Sequence, residues 1–278
     1  MKFSVITPTR NALDKLKRCV GSVRGQTGVE VEHLVQDARS TDGTPAWLAE
    51  QADLQAVSEA DGGMYDAINR GWRRASGDVV SWLNSDEQYL PGTLELVARV
   101  FEENPHVDFV YGNYIVVDEH GQPIAARREI RLSVTYIANG FLNAASCTMF
   151  FRRSLLDSGA LFLDEQYRYA SDMDLVLRLI SSGRRARHID RYLALFAFDG
   201  SNLSCSPAMM RETLDIRHKF GGASSRVGRL PAIAGRIVER IIKRCYRADD
   251  LDYPYVISER PDYRHIRANR IPYSYVTQ

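Results

Sequence analysis

Over the first hundred residues, short β-branched runs alternate with amphipathic stretches. Phe3-Ser-Val-Ile-Thr halts at Pro8 and predicts a strand that ends in a loop. From Asn11 to Arg24, Leu13, Leu16, Cys19, Val20 and Val23 recur at helical spacing, with Asn11 as the N-cap. Val29 to Val35 predicts a second strand, ending at Gln36-Asp37, and Thr44-Pro45 the N-cap and first residue of a helix across Trp47 and Leu48. Leu54 to Val57 predicts a third strand. Gly62-Gly63 breaks the chain before a helix from Met64 to about Ala75. Asp78 to Leu83 reads as a fourth strand, and Pro91 opens a helix through Val100 and Phe101. Four βα units in succession predict a parallel, doubly wound sheet that binds ligands at the C-terminal ends of its strands.

After Pro105 the pattern changes. Phe109 to Val117 and Ile124 to Arg128, joined through Gly121-Gln-Pro, predict a hairpin. A short helix follows near Leu132 to Ala138, then a strand at Thr148 to Phe151 and a helix from Asp172 to Ser181. Tyr192 to Phe198 predicts the last strand, and Pro207 to Lys219 a further helix. The fold class is therefore α/β with a mixed sheet. Residues 1–104 form one half and 105–220 the other half of a domain spanning 1–220.

Charge separates the C-terminal region from this body. The 278 residues carry a net charge of only +1, which gives no electrostatic footprint for nucleic acid. Yet from Arg226 to Arg247 seven basic residues face one acid, Glu239, so this stretch carries +6 and the remainder −5. Leu230, Ile233, Ile237, Ile241 and Ile242 recur there at helical spacing, and Pro231 fits a first turn. Two readings stay open. One is a helix covering the sheet with a solvated basic face. The other is an interfacial helix drawn to anionic lipid, giving peripheral contact with the inner membrane through 226–247. From Asp249 onward the chain is rich in Tyr, Pro, Arg and Asp without clear periodicity. It reads as an extended tail, and its Tyr253, Tyr255, Tyr263, Tyr273 and Tyr275 suit packing on the body or a contact in a homo-oligomer. Thus 221–278 is a basic C-terminal helix and aromatic tail.

The four cysteines, Cys19, Cys147, Cys205 and Cys245, are too far apart for a Cys-x-x-Cys pair and too sparse for a disulfide scaffold. The opening residues are too short an apolar run for a signal peptide, and nothing approaches a spanning helix. A cytoplasmic location is the expectation.

Common phosphate devices are missing. After the first strand the chain reads Thr7-Pro-Thr-Arg-Asn-Ala, not Gly-x-Gly-x-x-Gly, and no Gly-Lys-[Ser/Thr] loop, His-Glu-x-x-His or Gly-x-Ser-x-Gly occurs. What remains is carboxylates holding a divalent cation, which in turn holds a diphosphate. Asp37 follows the second strand, and Asp86 follows the fourth within Asn84-Ser-Asp-Glu. Either acid alone reads equally well as a turn former or cap. Two such clusters at strand ends of one sheet suit Mg²⁺ or Mn²⁺, which take one or two oxygens from protein. Asp172 and Asp174 open an amphipathic helix, where first-turn acids also complement the helix dipole and Ser171 is a ready N-cap.

Five ordered motifs between about residues 3 and 203 carry a resemblance. They are Ser4-Val-Ile-Thr-Pro-Thr-Arg-Asn; Asp37-Ala-Arg-Ser-Thr-Asp-Gly-Thr; Ser58-Glu-Ala-Asp-Gly-Gly-Met-Tyr-Asp-Ala-Ile-Asn-Arg-Gly; Leu83-Asn-Ser-Asp-Glu; and Ser171-Asp-Met-Asp-Leu-Val-Leu-Arg-Leu. The chain resembles the family 2 glycosyltransferases, nucleotide-sugar enzymes with the GT-A fold. The Tyr65-Asp-Ala-Ile-Asn-Arg-Gly stretch looks closest to bacterial members that build surface polysaccharide on lipid carriers. The resemblance implies that Thr7, Pro8 and Arg10 line the nucleotide pocket and that Asp37 accepts the uracil N–H. It places Asp61 and Asn69 near base and ribose. Asn84, Ser85 and Asp86 fall at the family's Asp-x-Asp position, with Asp86 on the metal and Asn84 on ribose or metal. Asp172 matches the acid usually assigned as general base. The chain departs at Asn84, which replaces the first carboxylate, and in Asp199-Gly-Ser-Asn, which lacks a His found in many relatives.

The resemblance implies an inverting transfer of a hexose from a UDP-sugar to a saccharide or lipid-linked saccharide, with Mn²⁺ or Mg²⁺ as cofactor. A carboxylate takes the acceptor proton while a cation offsets charge on the leaving diphosphate. The alternative, motivated by Asn84, is a catalytically silent nucleotide-binding or scaffold member of the fold. A nucleotidyltransferase ranks lower, because no Gly-rich basic loop follows the first strand.

Overall fold

A computed structural model describes residues 1–198 and 207–274; the loop Asp199-Gly-Ser-Asn, Cys205 and Tyr275 lie outside them. The first half alternates as its pattern predicts: β1 (Lys2–Thr9), α1 (Leu13–Arg24), β2 (Glu30–Asp37), α2 (Thr44–Ala49), β3 (Leu54–Ser58), α3 (Met64–Arg74) and β4 (Val79–Trp82). Next come β5 (Gln88–Tyr89), α4 (Thr93–Glu103), the hairpin β6 (Phe109–Val117) and β7 (Pro123–Arg127), and α5 (Val134–Ala138). β8 (Phe150–Arg152), α6 (Arg153–Asp157), α7 (Ser171–Ser181), β9 (Ala186–Ala197) and α8 (Pro207–Lys219) follow. The C-terminal region holds α9 (Arg226–Ile242), β10 (Asp249–Val256) and β11 (Tyr263–Ile271).

β3, β2, β1 and β4 run parallel in that order. The sheet continues as β8, β6, β9 and β5, with β7 on β6, giving nine strands of mixed direction. Only β6 and β9 among the added neighbours are parallel. The side-chain period of two sorts β1 between the layers. Phe3 and Val5 pack with Cys19 and Val23 of α1 and Leu94, Val97 and Phe101 of α4. Ile6 faces the other way, against Ile68 and Trp72 of α3 and the apolar stripe of α7. There the Trp72 and Trp82 rings meet edge to face at 5.5 Å, and Trp82 stacks on Phe151 at 6.0 Å. α3 lies so close to β1 that a Cβ at Gly71 would stand 2.5 Å from Ile6 Cγ2, which explains the glycine inside this helix.

Several local expectations are corrected. β1 does not stop at Pro8 but runs through it to Thr9. Past Ile6 the strand pairs only with β2, so the missing N–H of Pro8 faces an unpaired edge. Asn11 does not cap α1; it has positive φ, and its side chain accepts the Thr41 N–H at 2.7 Å. The start of α1 is served by Asp42, which accepts the Leu13 N–H at 3.0 Å. Ser171 is the first residue of α7, not its cap, and its hydroxyl has no hydrogen-bond partner. Pro231 lies inside α9, beyond the first turn.

The tail is also corrected. Instead of an irregular extension, β10 and β11 form an antiparallel hairpin. Tyr253 and Tyr255 pack with Leu90, Ile115, Val117 and Leu195 of the body, and Tyr273 is buried beside Ile130 and Cys245. Those three rings are thus occupied within the chain, not held out for a second subunit. Gln88 of β5 bonds both backbone groups of Val256, at 2.9 and 3.1 Å. α9 also departs from the covering-helix reading: it turns Arg236 and Arg240 inward and leaves Leu230, Ile237 and Ile241 exposed.

Candidate active site

A cavity of about 500 Å³ opens where the parallel strands end. Thr9 and Arg10 reach it from the end of β1, Ala38 from the end of β2, and Asn84-Ser-Asp-Glu from the loop after β4. The first turn of α3, from Gly63, forms another wall, and Arg168, Tyr169 and Asp172 bring in the approach to α7. This is the position at which an open α/β sheet presents its loops to a ligand.

Seven of the residues singled out from the sequence are brought together here: Pro8, Arg10, Asp61, Asn84, Ser85, Asp86 and Asp172. Thr7, Asp37 and Asn69 are held elsewhere. Thr7 lies on the α1 side of β1, fully buried, with its hydroxyl 2.8 Å from His33 Nε2. Asp37 is buried under the loop it was expected to serve from. It accepts hydrogen bonds from the Ser40 hydroxyl and the Ser58 hydroxyl, each 2.5 Å, and from the Ser40 N–H. Asn69 clasps the backbone of Leu163 from both sides and donates to Glu165, all at 2.9 Å. Its amide secures the segment ahead of α7.

The turn after β4 is built by Glu87, which sequence reasoning passed over. The Asn84 N–H donates to Glu87 Oε2 at 2.8 Å, and the Glu87 N–H donates to the Asn84 carbonyl at 3.0 Å. Burial, with the Asp86 charge beside it, pushes the Glu87 carboxyl well above the usual carboxylate range. Asn84 Oδ1 is buried without a hydrogen-bond partner. Among the described residues no three His, Cys, Asp or Glu side chains gather as a metal cluster. The turn after β4 thus offers the cavity the Asp86 carboxylate and the unsatisfied amide oxygen of Asn84. That set suits a hard cation which draws most of its ligands from a diphosphate and water.

Asp172 is the second chemically distinct acid. The Met173 N–H donates to its Oδ1 at 2.8 Å, and the Tyr65 hydroxyl lies 3.5 Å from the same oxygen. Burial raises its carboxyl to about 6, close to where a general base operates well. Asp174, one turn-step further, points into the core. It receives Arg178 Nε and Lys219 Nζ, each at 2.7 Å, and ties α7 to α8. Glu212 of α8 adds a second tie, accepting the N–H groups of Arg168, Tyr169 and Ala170 at 2.8, 2.7 and 3.1 Å. The loop that delivers Asp172 is thus fixed by a carboxylate 40 residues away in sequence. Glu212 had no sequence signal: it is one polar residue on an unremarkable helix, and only the fold gives it three partners.

The two halves of the sheet and the cavity at its strand ends are those of the GT-A fold, the nucleotide-sugar architecture of glycosyltransferases. The chain belongs to glycosyl transferase family 2, whose family model matches residues 4–159. It is similar to an uncharacterized glycosyltransferase of Nostoc sp., with 24% identity over 233 residues, 80% of this chain and 72% of that protein. It is also similar to a PGL/p-HBAD biosynthesis glycosyltransferase of Mycobacterium bovis, 30% identical over 188 residues, 65% of this chain and 70% of that protein. Among solved structures, S. aureus TarS 1–349 in complex with UDP-GlcNAc superposes with a TM-score of 0.64 at 20% identity, covering 87% of this chain and 73% of TarS 1–349. The mannosyltransferase PcManGT from Pyrobaculum calidifontis, in complex with GDP-Man and Mn²⁺, gives 0.57 at 18% identity, covering 86% and 75%. The protein is a family 2 glycosyltransferase.

Proposed function

We propose that the chain is an inverting enzyme that moves a hexose from a UDP-sugar to a hydroxyl of a saccharide acceptor, carried on lipid, in bacterial surface polysaccharide synthesis. One observation carries this reading. The cavity collects an Asn84/Asp86 oxygen pair and, from a separate element, the raised carboxyl of Asp172. Two acids with different environments support two different tasks.

In this reading Asp172 accepts the proton of the acceptor hydroxyl as that oxygen attacks the anomeric carbon. The new C–O bond forms while the bond from that carbon to the diphosphate oxygen breaks, and the electron pair leaves with the nucleoside diphosphate. Asn84 and Asp86 would hold a Mn²⁺ or Mg²⁺ ion, which supplies charge neutralisation at the leaving diphosphate. Arg10, Lys15 and Arg168 line the same cavity and favour an anionic ligand, as does the N-terminal end of α3. Tyr65 orients Asp172. The preference for uracil is carried over from the family resemblance; Asp37 itself, bonded to Ser40 and Ser58, closes the turn that presents Ala38 to the cavity.

The test is calorimetry of UDP against GDP, followed by transfer assays with a panel of UDP-hexoses and saccharide acceptors. Tighter UDP binding and sugar transfer with inverted anomeric configuration are expected. Equal or reversed nucleotide preference removes the UDP assignment. Binding without transfer or donor hydrolysis returns the silent-binder alternative.

A further inference from the structure

α9 carries its polarity inside out. Its inward face is charged: Arg236 donates to Asn143 Oδ1 at 2.6 Å and lies 3.9 Å over the Phe141 ring, while Arg240 approaches the buried Glu129 at 4.0 Å. Its outward face is apolar, with Val227, Leu230, Ile233, Ile237, Ile241 and Ile242 each between 39 and 74% exposed. Eight of the thirteen large exposed hydrophobic residues among those described fall between Val227 and Tyr246. Isolated exposed apolar residues need no explanation, but a continuous helical stripe does.

Charge identifies what covers it. Arg226 at the start of the helix and Lys243, Arg244 and Arg247 just past its end are all exposed. The one acid of the helix, Glu239, is turned inward onto Arg131 Nε at 3.0 Å. A second copy docked by a two-fold axis would set these cations against each other with no exposed acid on the helix to offset them. An anionic lipid surface complements both the stripe and its ends. No described helix is long and apolar enough to cross a membrane, so the helix lies along the surface. We propose that α9 is a membrane-surface docking helix whose outward apolar stripe enters the headgroup boundary of an anionic bilayer, with Arg226, Lys243, Arg244 and Arg247 on the phosphates.

The placement has a consequence for the site. α8 and α9 are consecutive and both pack on α5, and Met209 of α8 lines the cavity. Docking through α9 would therefore hold the bilayer, where a lipid-linked acceptor resides, beside the α5, α8 and α9 group that supplies one wall of the cavity. This consequence rests on the acceptor named above; the docking itself does not.

Flotation of the full chain with vesicles tests the proposal. Binding to phosphatidylcholine vesicles containing phosphatidylglycerol is expected, with little binding to phosphatidylcholine alone and a steep loss on adding salt. The double variant Ile237→Glu, Ile241→Glu should reduce partitioning by roughly tenfold or more, and Lys243→Gln by about fivefold. Both should keep the circular dichroism spectrum and transfer to a soluble acceptor. Absence of binding to the anionic vesicles would overturn the proposal. So would light scattering that shows a dimer dissociated by Ile237→Glu. Because the vesicle assay needs no donor, its failure is separable from failure of the transferase reading.

Discussion

α7 and α9 obey the same periodicity and use it in opposite ways. α7 buries Met173, Leu175, Val176, Leu177 and Leu179 and shows Asp172 to the cavity. α9 buries Arg236 and Arg240 and shows its aliphatic residues to solvent. The spacing of apolar residues fixes which side chains share a stripe, but the neighbours decide which way the stripe faces. α7 lies against a sheet face of aromatic and aliphatic side chains, including Trp82, Phe109 and Phe151. α9 lies against Glu129, the Asn143 amide oxygen and the rings of Phe141 and Tyr273, all suited to guanidinium groups. The two helices therefore should respond oppositely to the same kind of substitution.

The largest expected effect is at the polar position of α7. Asp172→Asn should lower turnover by a factor on the order of 10² or more while leaving UDP affinity nearly unchanged. The same variant should be more stable at neutral pH. Because the folded protein raises the Asp172 carboxyl to about 6, ionising it opposes folding above that pH. A gain of about 1–3 kcal/mol at pH 7.5 is expected in denaturant melts, shrinking to nothing below about pH 4. Next comes Leu175→Ala, in the fully buried stripe, which should cost about 2–5 kcal/mol. Asp174→Asn should cost about 1–3 kcal/mol, because Arg178 and Lys219 lose a buried partner but each retains some access to water. Its turnover should fall far less than that of Asp172→Asn. The smallest effect is Ile237→Ala on α9, within about 0.5 kcal/mol by the same melts. A loss at Ile237 as large as that at Leu175 would erase the contrast between the helices.

Much of the fold was legible in the sequence, because βα alternation and strand-end acids are local signals. Asp86 and Asp172 both reach the cavity from the elements on which the pattern placed them. Thr7, Asp37 and Asn69 were harder, since a strand-end or helix position does not say whether a polar side chain faces the ligand or fastens a loop. The tail hairpin escaped because its contacts are long-range: Gln88 meets Val256, and a Cβ at Gly21 would lie 2.2 Å from the Ser258 carbonyl. No window of sequence contains both partners. The orientation of α9 escaped for the same reason, since Glu129 and Asn143 lie about one hundred residues before the arginines they receive.

The pH dependence of kcat/KM for sugar transfer tests the central claim, that Asp172 is the base, most directly. The base works only when ionised, so the rate should fall about tenfold per pH unit below about pH 6, where burial places its carboxyl. A rate that stays level down to the ordinary carboxylate range near pH 4 would contradict the assignment.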